Sequence, residues 1–261
     1  MMKSVFAVAI AVLTLQSTVS IASDFSVVRF GVDASYPPLE YKDPQGRVAG
    51  FDIDLGTEIC RRMKAKCEFI DMSFDGLIPA LQSRKFDGIL SSLSITEQRR
   101  KEIAFSDKLF NLPSRVIARK GSGIEPTALS LKGKTVGVEQ GTIQETYART
   151  YWQPAGARVQ AYQSQDQVYA DLAAGRLDAS LQDEIQANMS FLKTEQGKSF
   201  AFAGPSLVDK RVLGDGATAI GLRKSDVALK NAIDHALHDM LADGTYQKIE
   251  KKYFDFDVYG E

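Results

Sequence analysis

Histidine is almost missing from this 261-residue chain, since His235 and His238 are the only two and both fall on what reads as one exposed helix face. Without them no Ser/His/Asp or Cys/His set is at hand, and a zinc site would lack its imidazoles. No metal, no cofactor and no enzyme activity is therefore expected. A charge surplus is missing too. The 32 basic and 33 acidic side chains leave a formal net charge of -1, and no Lys/Arg block stands out. That excludes the concentrated basic surface that a nucleic acid or an acidic membrane would require. Beyond the first residues no segment is apolar over the ~20 positions a spanning helix takes, so no direct membrane insertion is expected.

What is present begins with an export signal. Lys3 precedes an apolar stretch from Val5 to Leu15, and the small residues Ser20 and Ala22 follow at the spacing a signal peptidase reads. Residues 1–22 are expected to be removed by cleavage after Ala22. A membrane anchor is the alternative, but the stretch is short and Gln16, Ser17 and Thr18 interrupt it. Only two cysteines occur, Cys60 and Cys67. In an exported chain an even count favours a disulfide, with two free thiols or half of a zinc site as the other readings.

Short β-branched or apolar runs alternate with amphipathic helical patterns, the signature of an α/β fold with largely parallel strands. Strands are expected at Val27–Val32, Cys67–Ile70, Gly88–Leu90 and Thr135–Val138. Helices are expected at Ile53–Met63, with Asp52 as N-cap, and at Leu77–Gln82. Two passages repeat. Leu81–Ser92 overlays Leu172–Asp183, pairing Lys85 with Arg176, Phe86 with Leu177, Asp87 with Asp178 and Leu90 with Leu181. Phe30–Asp33 overlays Val136–Glu139 in the same way. Any helix-turn-strand unit resembles another, but two matches in the same order argue for two similar α/β lobes. In open α/β sheets ligands bind beyond the carboxyl ends of the strands. The overlay sets Asp33 opposite Glu139 and Ser92 opposite Asp183 at such ends, so facing lobes would gather hydroxyl and carboxylate groups in one cleft suited to a small polar ligand.

Ser91, Ser92 and Ser94 end a strand, and Thr96 is the natural N-cap of the helix that follows. Arg99 and Arg100 lie in the first turn of that helix, where a cation opposes the helix dipole. An arginine kept there makes sense if it shares an anion with the helix amides; otherwise it is a surface residue pairing with Glu97 or Glu102. Gln140–Gln144 repeats the strand-to-helix geometry, and Gly141, the free amides and the Thr142 hydroxyl could serve the same anion. Asp183 is either a helix N-cap or an acceptor for an ammonium group. Tyr36 and Phe74 are either core aromatics or the two faces around a ligand's carbon stem.

The runs Gly50–Gly56, Leu93–Thr96, Ile103–Lys108, Ala174–Asp178, Ala201–Ser206 and Lys252–Phe256 closely resemble the periplasmic lysine/arginine/ornithine-binding and histidine-binding proteins of ABC importers. The resemblance covers the whole chain after the signal. It implies the periplasmic binding protein type II fold, two similar lobes joined by a hinge of two crossing strands, with residues 23–112 and 215–261 forming lobe 1 and 113–214 lobe 2. It also implies a disulfide between Cys60 and Cys67, a monomer in the periplasm, and a membrane permease as partner. Carried over by residue, it sets Arg99 on a ligand α-carboxylate with help from Ser94 and the Ile143 amide, and Ser92 and Asp183 on the α-ammonium. Ser91 lines the same wall. Tyr36 and Phe74 flank the ligand side chain, Asp33 meets its cationic tip, and Thr142 and Gln144 line the pocket.

Two residues depart from the family pattern. Ile143 replaces a hydroxyl residue, which costs little if its backbone amide does the binding, and Glu139 replaces an apolar one. An unpaired carboxylate in a closed cleft is costly, so Glu139 either points to solvent, meets a cation on the ligand, or marks a different ligand. The surplus acid favours arginine, lysine or ornithine over glutamate or leucine, with histidine weaker because it is mostly neutral near pH 7. Two rivals stand: a periplasmic dehydratase of the same fold, and a sensor that hands occupancy to a membrane kinase.

Overall fold

The computed structural model describes residues 25–260. The expected export signal and its cleavage site lie outside them. In chain order the strands are β1 (Val27–Val32), β2 (Ser35–Tyr36), β3 (Glu40–Lys42), β4 (Val48–Ala49), β5 (Lys66–Asp71), β6 (Gly88–Ile89), β7 (Ala104–Asn111), β8 (Ser114–Arg119), β9 (Thr135–Glu139), β10 (Arg158–Tyr162), β11 (Ala179–Asp183), β12 (Phe200–Leu207) and β13 (Ala217–Leu222). The helices that matter below are α1 (Phe51–Arg62), α2 (Leu77–Gln82), α3 (Glu97–Glu102), α4 (Ile143–Tyr147), α5 (Gln165–Ala173), α6 (Glu184–Ala187), α7 (Val227–Ala242) and α8 (Thr245–Glu250). No described helix is long and apolar enough to cross a membrane.

Two five-stranded sheets share one plan. Their orders are β5-β1-β6-β13-β7 and β10-β9-β11-β8-β12. In each, the first three strands are parallel and the fourth is antiparallel to both neighbours. The fourth strand of each sheet is reached by crossing from the other: β8 enters the second sheet directly after β7, and β13 returns to the first after β12. The chain thus passes between the lobes twice. A small sheet, β2-β3-β4, packs on the first lobe.

Both faces of each sheet are covered, which explains why the inner parallel strands β1 and β9 read as mostly apolar runs, while the edge strands β5 and β10 are mixed. In the first lobe α1, α7 and α8 bring Leu55, Ile59, Ile233, Leu237 and Tyr246 to one face, while Leu77, Leu81, Phe86 and Phe105 fill the other. In the second, alternation along β8 sends Val116 and Ala118 towards Trp152 and Leu131, and Ile117 towards Val168, Leu172 and Phe191. The overlaid passages are topological equivalents. Phe30–Asp33 and Val136–Glu139 lie in and beside the central strands β1 and β9, and Leu81–Ser92 and Leu172–Asp183 span the α2-β6 and α5-β11 units. Packing equivalence goes further: a Cβ on Gly31 would lie 2.3 Å from the Phe86 ring, and one on Gly137 would lie 2.4 Å from Leu177 Cδ1. Phe86 and Leu177 are themselves partners in the overlay.

The disulfide joins Cys60, at the end of α1, to Cys67 in β5, with the Cα atoms 5.8 Å apart. One local expectation fails. Helix α1 starts at Phe51 rather than Ile53, with Gly50 as N-cap at φ 130°. A Cβ there would lie 2.2 Å from the Leu39 carbonyl oxygen, so only glycine lets the chain enter the helix so close to β3. Asp52 is consequently inside the helix and does not cap it. Its buried carboxylate accepts the Ser92 amide at 2.8 Å instead.

Candidate functional site

The carboxyl ends of the parallel strands of both sheets meet at one narrow cavity. Asp33 and Tyr36 follow β1, and Ser91, Ser92, Ser94 and Arg99 follow β6; Glu139, Thr142, Ile143 and Gln144 come from the end of β9 and the start of α4, Asp183 from the end of β11, and Phe74 from the turn before α2. All twelve sequence-selected residues line it. Glu40 is a thirteenth lining residue, and sequence reasoning missed it.

Arg99 is held rather than solvated. Thr96 caps α3 by accepting the Arg99 amide at 3.1 Å, which turns the Arg99 side chain inward, where it is 8% exposed. Its guanidinium donates to the Ser94 carbonyl at 3.0 Å and to the Gly141 carbonyl at 3.3 Å, and it lies 5.4 Å from the Phe74 ring centroid. No ion pair joins it to Glu97, Glu102 or any other described carboxylate. Burial pulls its pKa down to about 10, so it stays charged at neutral pH. A buried cation with carbonyl neighbours and spare donors is short of an anion.

Asp183 occupies the N-cap position of α6 yet makes no capping hydrogen bond. It accepts instead from the Tyr36 hydroxyl at 2.8 Å and from Gln144 Nε2 at 2.6 Å, while the same Gln144 nitrogen reaches Ser114 Oγ at 2.9 Å. Burial pushes its carboxyl up to about 7 against the opposing pull of those two bonds. Tyr36 therefore belongs both to the first lobe's core and to the cavity wall, which resolves the two readings of that aromatic. Phe74 does likewise, packing its ring on the core around α2 while its amide donates to Asp33 Oδ2 at 2.9 Å.

Glu139 does not point to solvent. It is 4% exposed, its Oε1 has no hydrogen-bond partner among the described residues, and burial with the nearby Asp33, Asp183 and Asp166 carboxylates holds its pKa well above the usual range. Asp33 is also raised by burial, though Ser35 and the Phe74 amide satisfy one oxygen each. Thr142 departs from expectation. Its hydroxyl donates to the Glu139 carbonyl at 2.7 Å and accepts the Glu145 amide at 3.1 Å as the N-cap of α4, so it has no proton left for an anion. The Ile143 amide is not engaged by any backbone carbonyl outside its own helix.

Glu40 is 1% exposed and accepts from Ser91 Oγ at 3.1 Å and Ser92 Oγ at 3.0 Å. Its signal in the sequence is faint. It stands after Pro37-Pro38-Leu39, outside any strand-end repeat, and only its position among apolar neighbours hints at burial.

Contacts cross the cleft at several points. Besides the Tyr36–Asp183 and Arg99–Gly141 bonds, Gln140 Nε2 donates to Asp75 at 2.9 Å and Ser190 Oγ to the Pro37 carbonyl. The lobes are thus closed on each other. Ionisable groups on the cavity wall are the four carboxyls of Asp33, Glu40, Glu139 and Asp183, each raised by burial, and the single guanidinium of Arg99. Such a wall suits a zwitterion carrying extra positive charge. Among the described residues no cluster of three or more His, Cys, Asp or Glu side chains is arranged to hold a metal ion.

Comparison with known proteins agrees with this geometry. Residues 28–256 match the family model described as bacterial extracellular solute-binding proteins, family 3. The lysine/arginine/ornithine-binding periplasmic protein of Escherichia coli is 54% identical over 261 residues, covering 100% of both chains. The histidine-binding periplasmic protein of the same organism is 48% identical over 260 residues, again with 100% of each covered. Among solved structures, an ancestral arginine-binding protein bound to arginine superposes with a TM-score of 0.81 at 34% identity, covering 88% of this chain and 99% of that one.

Proposed function

The chain belongs to the bacterial extracellular solute-binding proteins of family 3, and from that premise we propose that it captures a cationic L-amino acid in the periplasm by lobe closure and delivers it to the membrane permease of an ABC importer. It is a binding protein rather than the same-fold dehydratase, as its full-length relatives at 54% and 48% identity are binding proteins. The observation that carries the ligand class is the make-up of the cavity wall, where one guanidinium faces four buried carboxyl groups that a cation would draw into their ionised form. Arg99 takes the α-carboxylate with Ser94 and the Ile143 amide, and Asp183 and Ser92 take the α-ammonium. A zwitterionic main chain uses up Arg99 and Asp183; of the three remaining acids Glu40 is engaged by Ser91 and Ser92, and Asp33 from the first lobe and Glu139 from the second are matched by a positive side chain.

Arginine is the first choice, because its guanidinium can lie between Tyr36 and Phe74 while its edge reaches a carboxylate. Lysine and ornithine follow, then histidine. Ser91, Thr142 and Gln144 shape the wall around them. Residues 23–112 with 215–261 move as one body and 113–214 as the other, flexing where the chain crosses between sheets. The mature protein begins at Ser23 and acts as a monomer. Isothermal calorimetry with arginine, lysine, ornithine, histidine, glutamine, leucine and glutamate tests this reading. Affinity should fall in the order cationic, histidine, neutral, acidic; glutamate or leucine binding more tightly than arginine overturns it.

A further inference from the structure

We propose that Glu40 is a positioning residue for the α-ammonium end of the site, acting through Ser91 and Ser92 rather than on the ligand itself. The inference rests on the amino-acid-binding reading above. A hydroxyl has one proton and two acceptor lone pairs, and an ammonium group can only donate. A serine greets an ammonium well only when its proton is tied up elsewhere. Here both protons are directed into the buried Glu40 carboxylate, at 3.1 Å from Ser91 and 3.0 Å from Ser92. Ser91 Oγ also accepts the Asp33 amide at 2.9 Å, which leaves it one lone pair, whereas Ser92 keeps both.

Ser92 is fixed at its other end as well. Its amide donates to Asp52 Oδ2 at 2.8 Å, and its backbone sits at φ 49°, a left-handed conformation that a serine holds only when its surroundings insist. Glu40 and Asp52 together therefore grip the hydroxyl and the amide of one strained residue. No described lysine or arginine forms an ion pair with Glu40, and its charged neighbours are Asp52 and Asp33. Burial and the Asp52 carboxylate push its carboxyl well up, and the positive charge of an arriving ammonium pulls against that shift, toward the ionised form that orients the serines. Positive charge on the ligand is balanced by Asp183 directly and by Glu40 at one remove.

The test uses two ligands that differ only at the α-amino group: arginine, and 5-guanidinopentanoate, in which that group is replaced by hydrogen. Calorimetric or displacement Kd values are measured for both on wild type and Glu40→Gln, whose amide can donate to the serines and so reverse their hydroxyls. Arginine should weaken about 10- to 100-fold, the range of a charged hydrogen bond, while 5-guanidinopentanoate stays within about twofold. Should the glutamine variant fail to fold, Glu40→Asp, which keeps the charge but draws it back, should show the same loss of arginine's advantage in smaller measure. Equal weakening of both ligands, or an unchanged arginine affinity, overturns the proposal. Wild-type protein that fails to bind arginine at all overturns the reading beneath it, an outcome distinct from either.

Discussion

In the first lobe the central-strand Gly31 lies under the ring of Phe86, and in the second Gly137 lies under Leu177; the helix-strand units beside them, α2-β6 and α5-β11, end in Ser92 and Asp183 at equivalent points. Backbone and packing are repeated, but the chemistry is not. The first lobe supplies the guanidinium, the aromatics and the buried pair Glu40 and Asp52, and it alone has the Cys60–Cys67 disulfide and the terminal helices α7 and α8. The second supplies Asp183, Glu139 and the amide end of α4. Strand ends are free of core constraints, so a duplicated scaffold can diverge there at little cost to stability. A ligand held by charges from both sides then ties the lobes together, which neither lobe achieves alone.

The largest effect should come from removing the first lobe's anchor. Arg99→Ala should weaken every α-amino acid ligand by about 2 to 5 kcal/mol, because a carboxylate would be enclosed without its partner. Arg99→Lys should recover only part of this, since the forked geometry is lost. Unchanged arginine affinity in the alanine variant, measured by calorimetry, would leave the first lobe without a main-chain role.

On the opposite wall, Glu139→Leu should weaken arginine by about 1.5 to 3 kcal/mol and leave uncharged amino acids unchanged or slightly better bound. Its unpartnered Oε1 is the reason. If arginine binds equally well to both proteins, the second lobe contributes nothing to charge selection.

The packing equivalence is tested by Gly31→Ala and Gly137→Ala. Both overfill a tight contact, and overpacking costs about 1 to 3 kcal/mol. Gly31→Ala should cost more, because three ring atoms of the fully buried Phe86 would lie within 2.7 Å of the new methyl, whereas the contact at Gly137 is the swinging end of Leu177. Chemical denaturation of the two variants measures the difference, and a larger loss at Gly137 would break the parallel.

A smaller effect concerns protons at Asp183. Its carboxyl is raised from 3.8 to about 7, and an ammonium favours its ionised form. Arginine affinity should therefore be full above pH 7 and fall by up to about tenfold per unit as pH drops below it, with proton release visible as a buffer-dependent binding enthalpy. For the unliganded closed protein the sign is opposite. Between pH 3.8 and about 7 the folded carboxyl holds a proton that the unfolded one has lost, so this group's contribution to stability declines as pH rises through that window. Asp183→Asn should remove the share of both dependences that belongs to Asp183 and leave that of the other raised carboxyls, Asp52, Glu40 and Glu139; a Kd independent of pH from 5 to 8 in wild type would show that no ammonium meets Asp183.

Much of the site was legible because its residues sit at strand ends, where a repeated helix-strand pattern marks them, and because the family motifs are dense. The alternation of strand and helix, the paired passages and the strand-end positions of Asp183 and Glu139 follow from local periodicity and its repetition, whereas the place of Arg99 in the site follows from the family resemblance. Capping preference also located Thr96 correctly. It misplaced Asp52, because the residue that decides where α1 begins is Gly50, and Gly50 is required by the approach of Leu39 from another element.

Sequence by itself therefore determined the α/β class, the two-lobed repeat and a list of polar residues with nowhere else to face. Tertiary structure alone decided what each of those groups is bonded to. Glu40 is 51 and 52 positions from the serines it orients, and Tyr36 is 147 from Asp183. Periodicity carries information over one helical turn or one strand, and it is blind to pairings at such separations. The same blindness hid the commitment of the Thr142 hydroxyl to the Glu139 carbonyl and the lack of an ion pair to Arg99 among the described residues. Whether a buried polar group is satisfied or left waiting for a ligand depends on where its neighbours end up in space, and only the folded chain brings them together.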